Sequence, residues 1–203
     1  MTNPLGYNLY YRDILLKRKE DNYNTSIGSL KRTIYHAKRR LKMSHKTNAA
    51  RILDKGRIPY ELKEYAVDES DLSAVTVAQK VGLGIEQVYK TLIARGDKSG
   101  IIVACIQGDH ELNLKGLATI SGNKKVEVVP LKEVQPLTGY IRGGVSPIGM
   151  KKNYPVYIDF GVTKQEKVSV SAGLRGLQLF LNPKDLISVT KAQLGMISQN
   201  TNP

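Results

Sequence analysis

Cysteine occurs once in the 203 residues, at Cys105, so no intrachain disulfide can form. Histidine occurs three times, at His36, His45 and His110, and with a single cysteine this excludes a Cys/His-rich zinc site. The simplest compartment for such a chain is a reducing cytoplasm. Apolar runs are short. The longest, Ile101 to Ile106, is far below the ~20 residues a membrane helix needs. The first residues lack the apolar block of a secretory signal. Acidic residues are scarce: 18 Asp+Glu stand against 31 Lys+Arg, a net charge of +13 that favours a polyanionic partner. Apolar residues at 41% and charged residues at 24% exclude global disorder. The length fits one domain with an appendage, enough to bury a core without disulfides or metal clips.

Familiar catalytic signatures are also missing. No G-x-x-x-x-G-K-[ST] phosphate loop occurs. Gly82-Leu83-Gly84 opens like a dinucleotide fingerprint but lacks the third glycine and follows a helix. His110-Glu111 has no second histidine four residues on, and no serine lies in a G-x-S-x-G elbow. Kinase, metallohydrolase and serine hydrolase chemistry are therefore disfavoured, and no metal or cofactor is expected.

What is present is unevenly spread. Residues 1–43 hold ten Lys/Arg, three Asp/Glu and five of the eleven tyrosines. Tyr10, Tyr11, Ile14 and Leu15 can form one amphipathic turn; Leu30, Ile34 and Tyr35 can form another. This segment reads either as an RNA-contacting arm or as a poorly ordered extension. From residue 44 the pattern becomes regular. Thr47 or Asn48 can cap a helix through Asp54, stopped by Gly56. Pro59 to Tyr65 alternates as a strand. Asp71 or Ser73 can cap a helix to Val81, closed by Gly82. Tyr89–Ala94 and Ile101–Ile106 flank the turn Asp97-Lys98-Ser99-Gly100, a hairpin. Leu112 to Ile120 reads as a helix, Lys125 to Val129 as a strand, and Leu131 to Leu137 as a short helix broken by Pro136. Strands follow at Val156–Phe160, Lys167–Val170 and Leu177–Leu181. Pro183 opens a last helix. Strict βαβ alternation is absent, which favours an α+β domain around one mixed sheet.

Three segments can carry chemistry. Thr138-Gly139-Tyr140-Ile141-Arg142-Gly143-Gly144-Val145-Ser146-Pro147-Ile148-Gly149 is a shaped, glycine-rich loop. It can present N–H groups to a carbonyl or phosphate oxygen, or it is a tight surface turn. Val168 to Leu177 bends through Gly173 and Gly176 and offers Arg175, whose planar fork suits phosphate; the plain alternative is a hairpin with a solvated arginine. Lys90 opens an apolar strand. Its ammonium either snorkels to solvent or enters a cleft as a point charge. Cys105, mid-strand, reads as a buried apolar residue.

In order and wording these segments resemble the YbaK family of aminoacyl-tRNA editing domains, the relatives of the editing insertion in bacterial prolyl-tRNA synthetase. The resemblance runs from about Thr47 to Leu194. It is carried by Thr47-Asn48-Ala49-Ala50 with Leu53, Ile58-Pro59-Tyr60 leading to Tyr65, Tyr89-Lys90-Thr91-Leu92, Leu112-Asn113-Leu114-Lys115, the loop from Thr138 to Gly149, and Ser171-Ala172-Gly173 with Arg175-Gly176-Leu177. The resemblance implies a single domain over 44–203, a mixed sheet curled like a barrel and flanked by helices, with 1–43 as a basic extension outside the usual domain. It implies Lys90 and Gly144 as catalytic positions. It implies Tyr65, Gly143, Val145, Ser146, Pro147, Ser171 and Arg175 as substrate-binding positions. Gln178 stands where related proteins can carry an acid, so no second charged pocket group is assigned there. Tyr65 and Ser171 point to the subgroup that deacylates cysteinyl-tRNA(Pro), with cysteinyl-tRNA(Cys) as a second substrate and prolyl-tRNA synthetase as a candidate partner. The implied reaction uses the substrate's own thiol against its ester. The alternatives are another small aminoacyl ester, such as alanyl-tRNA(Pro), a non-catalytic module that binds a tRNA 3′ end, or an adaptor that works chiefly by docking on the synthetase.

Overall fold

The computed structural model describes residues 46–200. The basic segment 1–43 and its two candidate turns lie outside the described residues.

Four of the five described α-helices begin where a side chain takes over an orphan backbone donor. In α1 (Asn48–Lys55) the Thr47 hydroxyl accepts from the Ala50 amide at 3.2 Å, and Ala49, Ala50 and Leu53 are buried. β1 (Tyr60–Glu64) follows. α2 (Ala74–Val81) is capped by Ser73 and closed by Gly82 at φ +69°, the left-handed ending that glycine favours. A short 3₁₀ turn, Ile85–Gln87, feeds β2 (Tyr89–Gly96), which pairs antiparallel with β3 (Gly100–Gln107) from Tyr89↔Gln107 to Gly96↔Gly100. The hairpin read from the turn residues is thus present along its whole length.

The next helix starts two residues later than its apolar pattern implies. Asn113 accepts from the Gly116 amide and caps α3 (Leu114–Ile120), while Leu112 joins the short strand β4 (Glu111–Leu112). β5 (Val126–Val128) and α4 (Leu131–Thr138) come next. Pro136 does not break α4. The Thr138 hydroxyl donates to the Val134 carbonyl at 2.7 Å in the last turn, and Gly139 ends the helix at φ +81°. β6 (Val156–Asp159), β7 (Val168–Ser171), β8 (Leu177–Leu181) and α5 (Pro183–Thr190) complete the expected set. Two short strands complete the described chain, β9 (Gln193–Gly195) and β10 (Ser198–Gln199). The buried Asp159 carboxylate receives the Ile197 and Ser198 amides at 3.1 and 2.9 Å and so holds this last segment in place.

The fold is α+β, but the ladders form three sheets and no closed barrel. One sheet has the order β5-β2-β3-β6-β9, with β6 and β9 parallel to their neighbours; another has the order β1-β8-β7, and β10 pairs with β4. Alternation along β3 serves two cores. Val103 and Cys105 join Ile93, Ile158, Val170, Leu179, Leu181 and Leu186. Ile102, Ala104 and Ile106 face the other way, onto Leu117, Tyr157 and Ile197.

Closure fails at one seam. β2 pairs with β5 only from Ala94 to Gly96, which leaves the Tyr89–Ile93 stretch of that edge without a strand partner among the described residues. β7 runs near it but is joined there only by an isolated bridge between Val88 and Ser169, with no continuing ladder among the described residues. The gap holds the cavity described next.

Candidate active site in the open seam

A cavity of about 570 Å³ opens along the seam. β2 supplies Lys90, Thr91 and Leu92; the amino end of α2 supplies Ser73 and Ala74; the glycine loop supplies Arg142, Gly143 and Val145; β7 and β8 supply Ser171 and Gln178. Val128, Val129, Leu131 and Val134 form an apolar side.

Lys90 is half-buried, and its ammonium donates to the Gly108 carbonyl at 2.8 Å. Two of its three N–H donors are left for a ligand. Burial lowers its pKa below the ordinary lysine value, and the Asp109 and Glu111 carboxylates offset part of that. Gly108 is needed for this contact: a Cβ there would stand 2.6 Å from the Ala74 Cβ, so a side chain would push α2 off the seam.

The glycine loop is braced from three directions. Asn48 Nδ2, in the first turn of α1, donates to the Gly149 carbonyl at 2.8 Å. The Tyr140 hydroxyl lies 2.8 and 2.9 Å from the carbonyl oxygens of Ile148 and Gly149. Arg175 Nε donates to the Arg142 carbonyl at 2.9 Å while the same guanidinium pairs with Glu69 at 3.0 Å. The two glycine-rich segments meet here. A Cβ on Gly144 would lie 3.2 Å from the backbone of Leu174 and Arg175, and one on Gly173 would lie 2.7 Å from the Tyr140 ring. Glycines in both segments allow this close backbone approach.

Of the positions taken from the sequence, Lys90, Gly143, Val145 and Ser171 come together in the cavity wall. Ser146 and Pro147 are buried behind it, and the Ser146 hydroxyl accepts from the Ile148 amide at 3.3 Å. The Gly144 amide closes a turn on the Ile141 carbonyl at 2.9 Å. The amides of Gly143 and Val145 make no hydrogen bond among the described residues. Arg175 acts as a brace behind the loop and is not in the wall. Tyr65 lies apart from the wall; it packs with Val77, Ala78, Val81, Val88 and Phe180 beneath α2, and its amide donates to the Gly176 carbonyl at 2.9 Å.

Thr91, Arg142 and Ser73 line the cavity and were not singled out. Gln178 lines it as well, with its Oε1 accepting from the Ser169 hydroxyl at 3.0 Å. A signal for it exists in the sequence, because it is the one polar residue in Leu177-Gln178-Leu179-Phe180-Leu181.

No Asp, Glu, His or Cys is in the wall among the described residues. Cys105 is fully buried and its thiol is pushed up to about 12, so it is inert as a nucleophile. His110 Nδ1 lies 3.0 Å from the Ser198 hydroxyl, at the β4/β10 pair. Three hydroxyls are in the wall, those of Ser73, Thr91 and Ser171; the Asp71 carboxylate beside Ser73 accepts from the Ser73 amide at 2.9 Å and is also bonded to the Thr76 hydroxyl.

Residues 69–189 match the aminoacyl-tRNA editing domain family. The chain belongs to that family. It is 45% identical to a candidate Cys-tRNA(Pro)/Cys-tRNA(Cys) deacylase, EbsC, of Enterococcus faecalis over 157 residues, which are 77% of this chain and 96% of the relative. A proline–tRNA ligase of Sulfurihydrogenibium is 32% identical over 100 residues, 49% of this chain and 17% of that enzyme. The crystal structure of a candidate trans-editing enzyme for prolyl tRNA synthetase superposes with a TM-score of 0.66 at 26% identity, covering 75% of this chain and 96% of that one. The matched residues include β2, β7 and the glycine loop, the elements that border the seam.

Proposed function

We propose that the chain is a free-standing aminoacyl-tRNA deacylase that clears cysteinyl-tRNA(Pro), with cysteinyl-tRNA(Cys) as a second substrate. One observation carries the reading. The cavity wall offers a half-buried ammonium and loop amides, and holds no Asp, Glu, His or Cys among the described residues. Such a wall suits positioning and charge stabilisation better than attack by a protein group. A cysteinyl ester brings its own nucleophile. The thiol sulfur bonds to the carbonyl carbon, the bond from that carbon to the tRNA 3′-oxygen breaks, and the thiol proton ends on that oxygen. The products are free tRNA and a cyclic thiolactone.

The protein's part is then geometric and electrostatic. Holding thiol and ester in contact is worth ~7–11 kcal/mol in favourable intramolecular cases. The Gly143 and Val145 amides are the candidate donors to the developing oxyanion, where one donor is typically worth ~3–4 kcal/mol. Lys90 and Arg142 supply positive charge for the 3′-terminal nucleotide, and the amino end of α2 adds a partial charge of the same sign. Ser171 lines the acyl end, Arg175 holds the loop, and Gly144, Ser146 and Pro147 shape it. Prolyl-tRNA synthetase is the candidate partner in trans, and the synthetase editing context of the relatives supports that placing. We assign residues 44–203 as the editing domain and 1–43 as a basic extension that adds non-specific affinity for tRNA.

The test is single-turnover deacylation of cysteinyl-, seryl- and alanyl-tRNA(Pro). Cleavage of the cysteinyl ester with the seryl ester spared is expected. Equal cleavage of cysteinyl and seryl esters overturns thiol assistance in favour of water attack. Cleavage of the alanyl ester alone keeps deacylation but overturns thiol assistance, because alanine brings no nucleophile.

A further inference from the structure

The deacylase reading, on which this inference rests, leaves the substrate's α-amine unassigned. Every charged side chain in the cavity wall is cationic among the described residues: Lys90 from β2 and Arg142 from the glycine loop. α2 contributes only uncharged residues, Ser73, Ala74, Val75 and Val77, and β5 with α4 contributes an apolar side. On β1, Lys63 stands opposite Gln178 in the strand register and donates to the Val81 carbonyl at 3.2 Å. The acids of the region are outside the wall. Glu69 pairs with Arg175 at 3.0 Å, Asp71 is held by the Ser73 amide at 2.9 Å and by the Thr76 hydroxyl, and Asp109 and Glu111 act on Lys90. In the wall itself an ammonium meets like charge and no carboxylate among the described residues.

Gln178 sharpens the point. It is 6% exposed, and the Ser169 hydroxyl donates to its Oε1 at 3.0 Å. With Oε1 turned to Ser169, Nε2 makes no hydrogen bond among the described residues. The group offered to a ligand is therefore a donor. An ammonium has only donors, whereas a neutral amine has a lone pair that accepts. An unperturbed α-amine titrates at about 8, so its neutral form is within reach near neutrality.

The geometry points to a cavity that takes the acyl end with its α-amine unprotonated, Gln178 Nε2 donating to the amine nitrogen, which makes Gln178 the specificity-determining residue for that group. An amine-free or N-blocked thiol ester is then a substrate as well.

The experiment measures binding to the full chain at pH 6.0 and pH 8.5. The probes are adenosine carrying a 3′-amide-linked cysteinyl group and the same nucleoside carrying a 3-mercaptopropionyl group, which lacks the amine. Relative to the amine-free probe, the cysteinyl probe is expected to weaken by about tenfold or more at pH 6.0, because only its neutral fraction binds. Titration of Lys90 affects both probes and cancels in the ratio. Gln178→Glu is expected to invert the preference, and Gln178→Leu to erase the gain that the amine gives at pH 8.5. Tighter binding of the cysteinyl probe than of the amine-free probe at pH 6.0 by the unmodified chain overturns the inference, as does no binding of either. Cysteinyl-tRNA turnover is scored separately. Its absence with the binding pattern intact defeats the deacylase reading alone, and its presence with the pattern inverted defeats this inference alone.

Discussion

Lys90 sits on an edge that no other strand pairs with among the described residues, with its ammonium on the Gly108 carbonyl and burial lowering its pKa. Because the folded value lies below the unfolded one, the charged form is the one that folding penalises. The cost to stability is present below the folded pKa and disappears as pH rises through it. Lys90→Met is accordingly expected to leave the denaturant midpoint at pH 7 unchanged or raised, while Lys90→Ala loses at least about a hundredfold in single-turnover deacylation, the scale of one strong charge-stabilising contact. Retained turnover in Lys90→Ala contradicts the site assignment. Affinity for a tRNA 3′ end is expected to fall, as pH rises, at a lower pH than ordinary lysine would give. Cys105 makes the complementary case. It is buried with its thiol held at about 12, so Cys105→Ala is expected to lower thermal stability yet keep deacylation, and thiol-modifying reagents should spare the native enzyme. Rapid inactivation by such a reagent, abolished in Cys105→Ala, would count against it.

The loop from Thr138 to Gly149 works as one element because Asn48 of α1 and Tyr140 hold the Ile148 and Gly149 carbonyls at one end while Arg175 holds the Arg142 carbonyl nearer the other. Gly143 has φ +81°, and a Cβ there would come within 3.2 Å of the Leu72 Cδ1. Gly143→Ala is expected to cost about 1–2 kcal/mol in the loop and to depress turnover more than global stability, read as kcat against melting temperature. Arg175→Ala removes the donor to the Arg142 carbonyl and the partner of Glu69; about a tenfold loss in kcat/KM is expected, with a smaller one for Glu69→Ala, since Glu69 is largely exposed. Equal loss in both variants would place the effect in the ion pair and not in the carbonyl contact. At this scale much was legible beforehand. Thr47 and Ser73 cap helices, Pro183 opens one, Gly82 ends one, and Asp97 to Gly100 turns the hairpin, all by local chemistry. β4 and β10 were not legible, because two-residue strands that meet across most of the domain leave no period in the sequence. Leu112 shows the consequence: its helical spacing loses to a long-range ladder and the Asn113 cap.

Across the whole domain, the seam is where secondary structure and site coincide. The α+β class and most strands could be read from alternation and turn residues, but the sheet's failure to close could not. It depends on β5 covering only Ala94 to Gly96 of the β2 edge, a register set by distant packing. Lys90, Gly143, Val145 and Ser171, which the resemblance names as site positions, line one cavity, while Tyr65 packs under α2, and the contact between Ser169 on β7 and Gln178 on β8 depends on a strand pairing that no local pattern shows. The positive wall and the net charge of +13 predict that tRNA affinity falls steeply with salt while the rate of the bound ester does not, which binding and single-turnover rates measured across a salt series will separate. The most direct test of the account is single-turnover deacylation of cysteinyl-tRNA(Pro) by the full chain, beside seryl-tRNA(Pro) and the Lys90→Ala variant. The account predicts loss of the cysteinyl ester only, and only with Lys90 in place. Equal loss of the seryl ester, or undiminished loss without Lys90, would contradict it.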